Sequence, residues 1–352
     1  MRSSSPAAPS HHRETAAGGR ADRPRAVVVG CGVVGLTTAL RLLDDGWDVE
    51  VWGDRPPLET TSAVAAAIWY PYLAAPADRV AVWGKRTYDA LVSLAESGRG
   101  DETGVRMLDG RVLGEAAPSA ADAALLPEGS WQAARAGGDD VAWTLRVPAV
   151  DMSIHLDWLT RELAARGGRL VMRRVASLAE AAGDGVRAVV NCTGLGARAL
   201  CDDRELRPVR GQVVRVRCAG LSTFLLDDRG AAPTYVVPRV HDVVLGGTAE
   251  PGECDERPDP AVAADILARC QALEPRLRGA EVLEVKVGLR PARSTVRLEA
   301  DPTTLGRDDV RLIHNYGHGG AGVTLAWGCA ADVAALLPAT AFPTSTPPPH
   351  RP

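Results

Sequence analysis

The chain has 352 residues, 46% of them hydrophobic, and a net charge of −4. That is enough apolar material for one large core or two smaller ones, and the weakly acidic balance offers no basic field to nucleic acid or an anionic membrane. Seven cysteines at scattered spacings, with no C-x-x-C, make neither a disulfide framework nor a metal site. Lys85 and Lys286 are the only lysines beside many arginines, which reads as a GC-rich bacterial coding sequence.

Residues 1–24 lack the apolar stretch of a secretory signal and are expected to form a disordered tail, as are the proline-rich residues 338–352. No run of about 18 apolar residues is present to span a bilayer, so the expectation is a cytoplasmic protein with buried thiols. The apolar run at 26–29 suits a buried parallel strand. Val33, Leu36, Leu40 and Leu43 then recur at helical spacing up to Gly46, and 49–52 make a second strand. Helices are expected over 77–97, 152–166, 260–273 and 322–337, and strands over 170–175, 187–192, 209–216 and 282–289. Residues 235–237 and 243–245 flank a turn as in a hairpin. Residues 101–150 read as irregular.

Gly30, Gly32 and Gly35 form G-x-G-x-x-G between that first strand and helix. Gly30 allows the tight turn, Gly32 lets backbone approach a pyrophosphate, and Gly35 lets helix and strand pack closely. The amides of Val33 and Val34 begin the helix, whose N-terminus favours phosphate. Asp54 lies 19 residues beyond Gly35, where a carboxylate can hold ribose hydroxyls. The fold class expected is α/β: a Rossmann-type dinucleotide-binding domain over 25–75, 151–205 and 300–337. It is interleaved with a mainly antiparallel-sheet substrate domain over 76–150 and 206–299.

Further motifs follow in order: Thr60-Thr61-Ser62-Ala63-Val64-Ala65-Ala66-Ala67-Ile68-Trp69-Tyr70-Pro71-Tyr72, Asn191-Cys192-Thr193-Gly194, Arg210-Gly211-Gln212, Gly288-Leu289-Arg290-Pro291-Ala292-Arg293 and His314-Asn315-Tyr316-Gly317-His318-Gly319-Gly320-Ala321-Gly322. From about residue 25 to 337 the chain resembles the D-amino-acid oxidase and D-aspartate oxidase family. The resemblance implies non-covalent FAD and oxidation of a D-amino acid by oxygen to an imino acid and hydrogen peroxide. The imino acid then hydrolyses to a 2-oxo acid and ammonia. Arg290 is implied to grip the substrate carboxylate, Tyr235 to hydrogen-bond it, and the Gly320 carbonyl to accept from the amine, with hydride leaving Cα and no acid–base residue needed. Arg55, Thr60, Thr61, Ser62, Ala67, Ile68, Val175, Thr193, Gly194, Gly317, Gly319, Gly322, Val323 and Thr324 are implied around the cofactor. The resemblance also implies, loosely, a homodimer.

The chain departs from the family in places. Residues 230–233 lack the second tyrosine that some members carry on a lid. Tyr70 stands where mammalian-type members have glutamine, and either lines the substrate pocket or simply packs. Ala249 follows Gly246-Gly247-Thr248 where D-aspartate oxidases carry arginine, and Arg229 and Arg239 do not fall on that position. A buried second carboxylate without a cation is unfavourable, so neutral or apolar D-amino acids are expected. D-aspartate oxidase is the alternative. A glycine or sarcosine oxidase, a non-catalytic FAD-binding protein and an NAD-dependent dehydrogenase fit fewer motifs. His314 and His318 are expected to orient their loop by hydrogen bonds rather than to catalyse.

Overall fold

The computed structural model describes residues 23–70, 74–114, 123–124, 126–133, 141–227, 229–230 and 232–338. The two expected tails fall almost wholly outside them. The chain runs β1 (Arg25–Val29), α1 (Val33–Asp44), β2 (Asp48–Gly53), α2 (Ala77–Glu96), β3 (Val105–Leu113), β4 (Trp131–Ala133), β5 (Val141–Val150) and α3 (Met152–Ala165). It continues through β6 (Arg169–Met172), β7 (Val186–Asn191), β8 (Arg207–Arg217), β9 (Thr223–Asp227), β10 (Thr234–Pro238), β11 (Val243–Gly246), β12 (Glu250–Pro251) and α4 (Pro260–Leu273). β13 (Glu281–Asp301), β14 (Arg311–His318) and α5 (Gly322–Ala335) follow.

Among the described residues one sheet joins all these strands in the order β4-β5-β3-β9-β10-β11-β8-β13-β14-β7-β1-β2-β6, with β12 beside β8. The five strands from β14 to β6 are mutually parallel. β1 is buried along Ala26–Val29, as a strand covered on both faces must be. α1 sends Leu36, Leu40 and Leu43 into one core with Leu156, Leu159 and Leu163 of α3 and Leu325 of α5. Each such side chain contributes about 1.5–3 kcal/mol by leaving water. The strands from β13 to β4 pair antiparallel, apart from the parallel β3–β9 pair. α4 covers part of this region with Ile266 and Cys270 against Val214, Val216 and Leu245. Its start follows from sequence: Asp259 accepts from the amides of Ala261 and Val262, and Pro260 occupies the first helical position.

Three readings are corrected. Residues 101–150 hold β3, β4 and β5. Gly110 hides β3, because the Phe224 ring fills the space its side chain would take. β13 runs past residue 289 to Asp301, crossing Pro291 near an irregularity in its pairing with β14 between Ala292 and Arg297. β14 escaped notice because His314, Asn315 and His318 put polar side chains on both of its buried faces.

Gly328 marks the crossing of α2 and α5. A Cβ there would overlap the Trp83 backbone, while the Gly328 amide donates to Thr87 Oγ1 at 2.9 Å. Gly328→Ala is expected to force the helices apart and cost about 1–3 kcal/mol, a fall in Tm of several degrees by calorimetry. An unchanged Tm would show that the crossing yields freely.

His155 is buried, its Nδ1 lies 2.8 Å from the Thr103 carbonyl, and its ring stacks on Trp158. Burial lowers its pKa to about 4 from an unfolded value of 6.5. The unfolded chain therefore takes up this proton first as pH falls. The stability contributed is complete above pH 6.5 and is lost as pH drops toward 4, on the order of 2–3 kcal/mol. Denaturant midpoints across that window should fall less steeply in His155→Gln than in the parent. Parallel curves would refute the assignment.

Candidate cofactor and substrate site

A cavity of about 1050 Å³ lies beyond the carboxyl ends of the parallel strands and extends toward the antiparallel strands. This is the place where open α/β sheets bind ligands, and the volume is at the upper end for a small-molecule site. The β1–α1 turn forms its floor. Gly30 has φ +112°, and a Cβ there would overlap the Cys192 carbonyl at the end of β7. Gly35 does not line the cavity: a Cβ on it would overlap the Gly30 carbonyl, so its role is to bring α1 against β1. Gly32, Val33 and Val34 do line it. The α1 N-terminus has no side-chain cap from Gly32, and Ser62 Oγ accepts from the Val33 amide at 3.0 Å.

Asp54 and Arg55 lie at one end of the cavity, with Val175 after β6. Arg55 stands 3.7 Å from Asp54 and 3.7 Å from Glu256, which arrives from the loop after β12. Trp52 and Arg173 also line this end, with the guanidinium 4.3 Å over the indole. The Cys31 thiol donates to the Arg55 carbonyl at 3.0 Å, and burial pushes its pKa up to about 11, so it remains a donor. Sequence reasoning missed Trp52, Arg173 and Glu256. The end of β2 gave a signal for Trp52; nothing local marks Glu256, which is distant in the chain.

Along the cavity, Thr60, Thr61 and Ser62 form one edge, and Thr61 Oγ1 donates to the Leu289 carbonyl at 3.2 Å. Ala67 and Ile68 line it next. Ala67 has φ +57°, uncommon for alanine, and its carbonyl accepts from the Val150 amide at 2.8 Å. Thr193 and Gly194 line the opposite wall. Asn191 Oδ1 accepts from the Thr193 amide at 3.2 Å and its hydroxyl at 2.7 Å, and thereby sets that turn.

Gly319, Gly320, Gly322, Val323 and Thr324 bring the N-terminus of α5 to the same cavity, again without a side-chain cap. Gly317 does not reach it and packs against the Arg293 side chain with φ +82°. Thr324 Oγ1 donates to the Tyr70 carbonyl at 2.8 Å and accepts from its amide at 3.2 Å, and Tyr70 lines the cavity. His314 stays outside, with Nε2 2.8 Å from Asp301 and Nδ1 3.3 Å from Asn191, the orienting role expected of it. His318 differs. It lines the cavity, its Nε2 has no hydrogen-bond partner among the described residues, and burial lowers its pKa to about 4, so the ring is neutral.

Arg290 projects from β13 into the cavity. Its Nη1 donates to the Thr248 carbonyl at 3.0 Å and, at the 3.5 Å limit, to that of Arg210. Among the described residues no carboxylate pairs with it. The two lining carboxylates, Asp54 and Glu256, both stand against Arg55. β2 is four strands from β13, roughly 19 Å at the usual spacing. Tyr235 from β10 shares this chamber with Leu226, Val213, Val237 and Tyr70. Arg229 is bonded to Asp227 and Arg239 to Asp242; neither lines the cavity, nor does Ala249. The lid question concerns residues 230–233, of which Ala231 lies outside the described residues.

Two helix N-termini without a cap from their own N-cap residues and a glycine-floored turn suit a long ligand with anionic groups. Asn315 and His318, whose buried Oδ1 and Nε2 have no partner among the described residues, line the same space. These residues fit a dinucleotide. A profile of the FAD dependent oxidoreductase family matches residues 25–336. The chain is 47% identical over 325 residues to a D-amino-acid oxidase of Rubrobacter xylanophilus, covering 89% of this chain and 95% of that one. It is 48% identical over 322 residues to a D-amino-acid oxidase of Streptomyces coelicolor, covering 88% and 95%. Among solved structures, glycine oxidase from Geobacillus kaustophilus shares the fold with a TM-score of 0.71 at 21% identity, over 89% of this chain and 94% of that one. The chain therefore belongs to the FAD-dependent oxidoreductase family, and its cofactor is FAD.

Proposed function

We propose that the protein oxidises neutral or apolar D-amino acids with oxygen, giving 2-oxo acids, ammonia and hydrogen peroxide. The observation that carries this reading is Arg290: a guanidinium inside a mainly apolar chamber, bonded, among the described residues, to backbone carbonyls alone. The relatives with nearly half their residues in common carry the same activity in their names. Bound FAD, held without a covalent link, supplies the two-electron acceptor that passes electrons to oxygen.

Arg290 holds both oxygens of the substrate carboxylate in its planar fork. Tyr235 donates its hydroxyl to the same group, and the Gly320 carbonyl accepts from the amine. Three fixed points aim the Cα hydrogen, and orientation of this kind is worth several kcal/mol of barrier. An L-isomer held by the same points exchanges its hydrogen and side chain. No acid–base residue is required at Cα, because a hydride leaves no proton there to abstract, and the lining carboxylates stand at Arg55. Asp54 and Arg55 would hold the ribose of FAD, the α1 N-terminus and Thr60–Ser62 its pyrophosphate, and the α5 N-terminus would favour negative charge on the flavin. Leu226, Val213, Val237 and Tyr70 receive the side chain. With Arg229 and Arg239 committed to aspartates, a second carboxylate has no cation, which disfavours D-aspartate. We place the enzyme in the cytoplasm, as a homodimer by family analogy alone; among the described residues no helix is long and apolar enough to cross a membrane.

Anaerobic addition of D-methionine to the FAD-saturated protein should bleach the visible flavin absorption, and L-methionine should not. Faster bleaching by D-aspartate than by D-methionine would replace this reading with D-aspartate oxidase, and no bleaching by any D-amino acid would end it. Arg290→Ala is expected to lower kcat/KM for D-methionine by about 10²–10³, and Arg290→Lys by roughly tenfold or more, because charge survives without the fork. Steady-state kinetics at saturating FAD decide this; an active Arg290→Ala would remove the arginine from the site.

A further inference from the structure

The Arg210-Gly211-Gln212 motif takes no direct part in the chemistry above, yet it lies beneath its anchor. In the β8–β13 ladder Gly288 faces Gly211 and Arg290 faces Val209. Residues two apart share a sheet face, so Gly211 is the diagonal neighbour of Arg290. The Arg290 side chain leans over that diagonal. A Cβ at Gly211 would fall on the guanidinium itself, overlapping Nη1, Cζ and Nη2. The planar head thus lies on bare backbone.

Its edge is set by a second contact. The Thr248 carbonyl accepts from Arg290 Nη1 at 3.0 Å. That carbonyl is fixed in turn, because Thr248 Oγ1 accepts from the Gln212 amide at 3.0 Å. Gln212 is fully buried and exchanges two hydrogen bonds with Asp259, from Nε2 to its carbonyl at 2.7 Å and from its amide to Oε1 at 2.8 Å. Height and in-plane position of the fork are therefore determined by Gly211 and Thr248, neither of which supplies a side chain to the ligand. Tyr235 rests in the same manner: a Cβ at Gly246 would overlap its ring, and one at Gly247 would stand 2.8 Å from its hydroxyl.

We propose that Gly211 and Thr248 are positioning residues for the substrate carboxylate, acting through Arg290; this rests on the role given to Arg290 above. Gly211 holds the fork at backbone height, and Thr248 holds its orientation. The atoms that a Gly211→Ala methyl meets are the far end of a flexible side chain. The sheet therefore stays in place and Arg290 moves. A displacement of about 1 Å at such a site costs up to a hundredfold.

The test uses the FAD-saturated full chain. Propanoate, a carboxylate without an amine, is titrated by its perturbation of the visible flavin spectrum. In parallel, kcat/KM is compared for D-methionine and D-methioninamide, which lacks the charged carboxylate. In Gly211→Ala, propanoate affinity and the acid-over-amide preference should each fall by about tenfold to a hundredfold, with FAD affinity and Tm unchanged. Thr248→Val should shift both readouts the same way, and Thr248→Ser should restore them by returning the acceptor for the Gln212 amide. Parent-like propanoate binding and acid preference in Gly211→Ala would overturn the proposal, as would a Thr248→Ser variant as impaired as Thr248→Val. Should Gly211→Ala not fold, the Thr248 pair decides alone. A parent enzyme that binds no propanoate and does not prefer acid over amide overturns the Arg290 reading itself, and this inference with it.

Discussion

Two helices, α1 and α5, bring N-terminal backbone amides to one cavity; neither is capped by its own N-cap residue, and Ser62 Oγ takes up the Val33 amide of α1. An uncapped N-terminus carries donors and a positive dipole end that need an acceptor. Placing two of them together is possible only because the backbone can close up around them. Gly30 passes under the Cys192 carbonyl, Gly35 seats α1 on β1, and a Cβ at Gly322 would lie 4.0 Å from the Val34 side chain. The position of every other cavity wall follows from this convergence, since β1, β7 and β14 all end beneath it.

The cavity has two chemically different halves. Near β2 and β6 it is charged: Arg55, Arg173, Asp54 and Glu256 surround Trp52. Near β8, β10 and β13 it is mainly apolar, with Thr234, Tyr235 and Arg290 the polar side chains among its lining. A charge in the second half is exposed to weaker screening, so its attraction for a carboxylate is stronger there than in water. Backbone carbonyls hold the Arg290 head without neutralising it. Had a carboxylate of the chain filled this place, it would have occupied the fork and offset the charge that a ligand carboxylate needs.

Polar groups behind the cavity keep its turns in place. Asp301, His314 and Asn191 form a chain of contacts that ends on Thr193. Tyr316 donates to Asp203 at 2.8 Å and accepts from Arg297 at 2.8 Å, and Arg293 donates to the same aspartate at 3.0 Å. These bonds fasten the irregular stretch of β13 that follows Arg290 to the segment before β8. Buried polar networks of this kind are stable when their members are paired, and they admit few alternative arrangements.

Local pattern in the sequence determined a good deal. The apolar run before Gly30, the helical spacing after it, and Pro260 behind Asp259 each carry their structure in neighbouring residues, so β1, α1 and α4 were legible. The glycine motif located the cavity floor for the same reason, and Arg290, Tyr235 and the residues from Thr60 to Ile68 were found by resemblance. The sequence could not show β3 or β14, because a glycine facing Phe224 and a row of buried histidine and asparagine break the alternation that identifies a strand. Nor could it separate Gly317 from Gly319, or bring Glu256 to Arg55 across 201 positions. Only the tertiary structure decided that Arg229 and Arg239 are spent on their own aspartates, and that Arg290 lies flat on Gly211. Those outcomes depend on which strands pair and in what register, and register is a property of contacts between segments far apart in the chain.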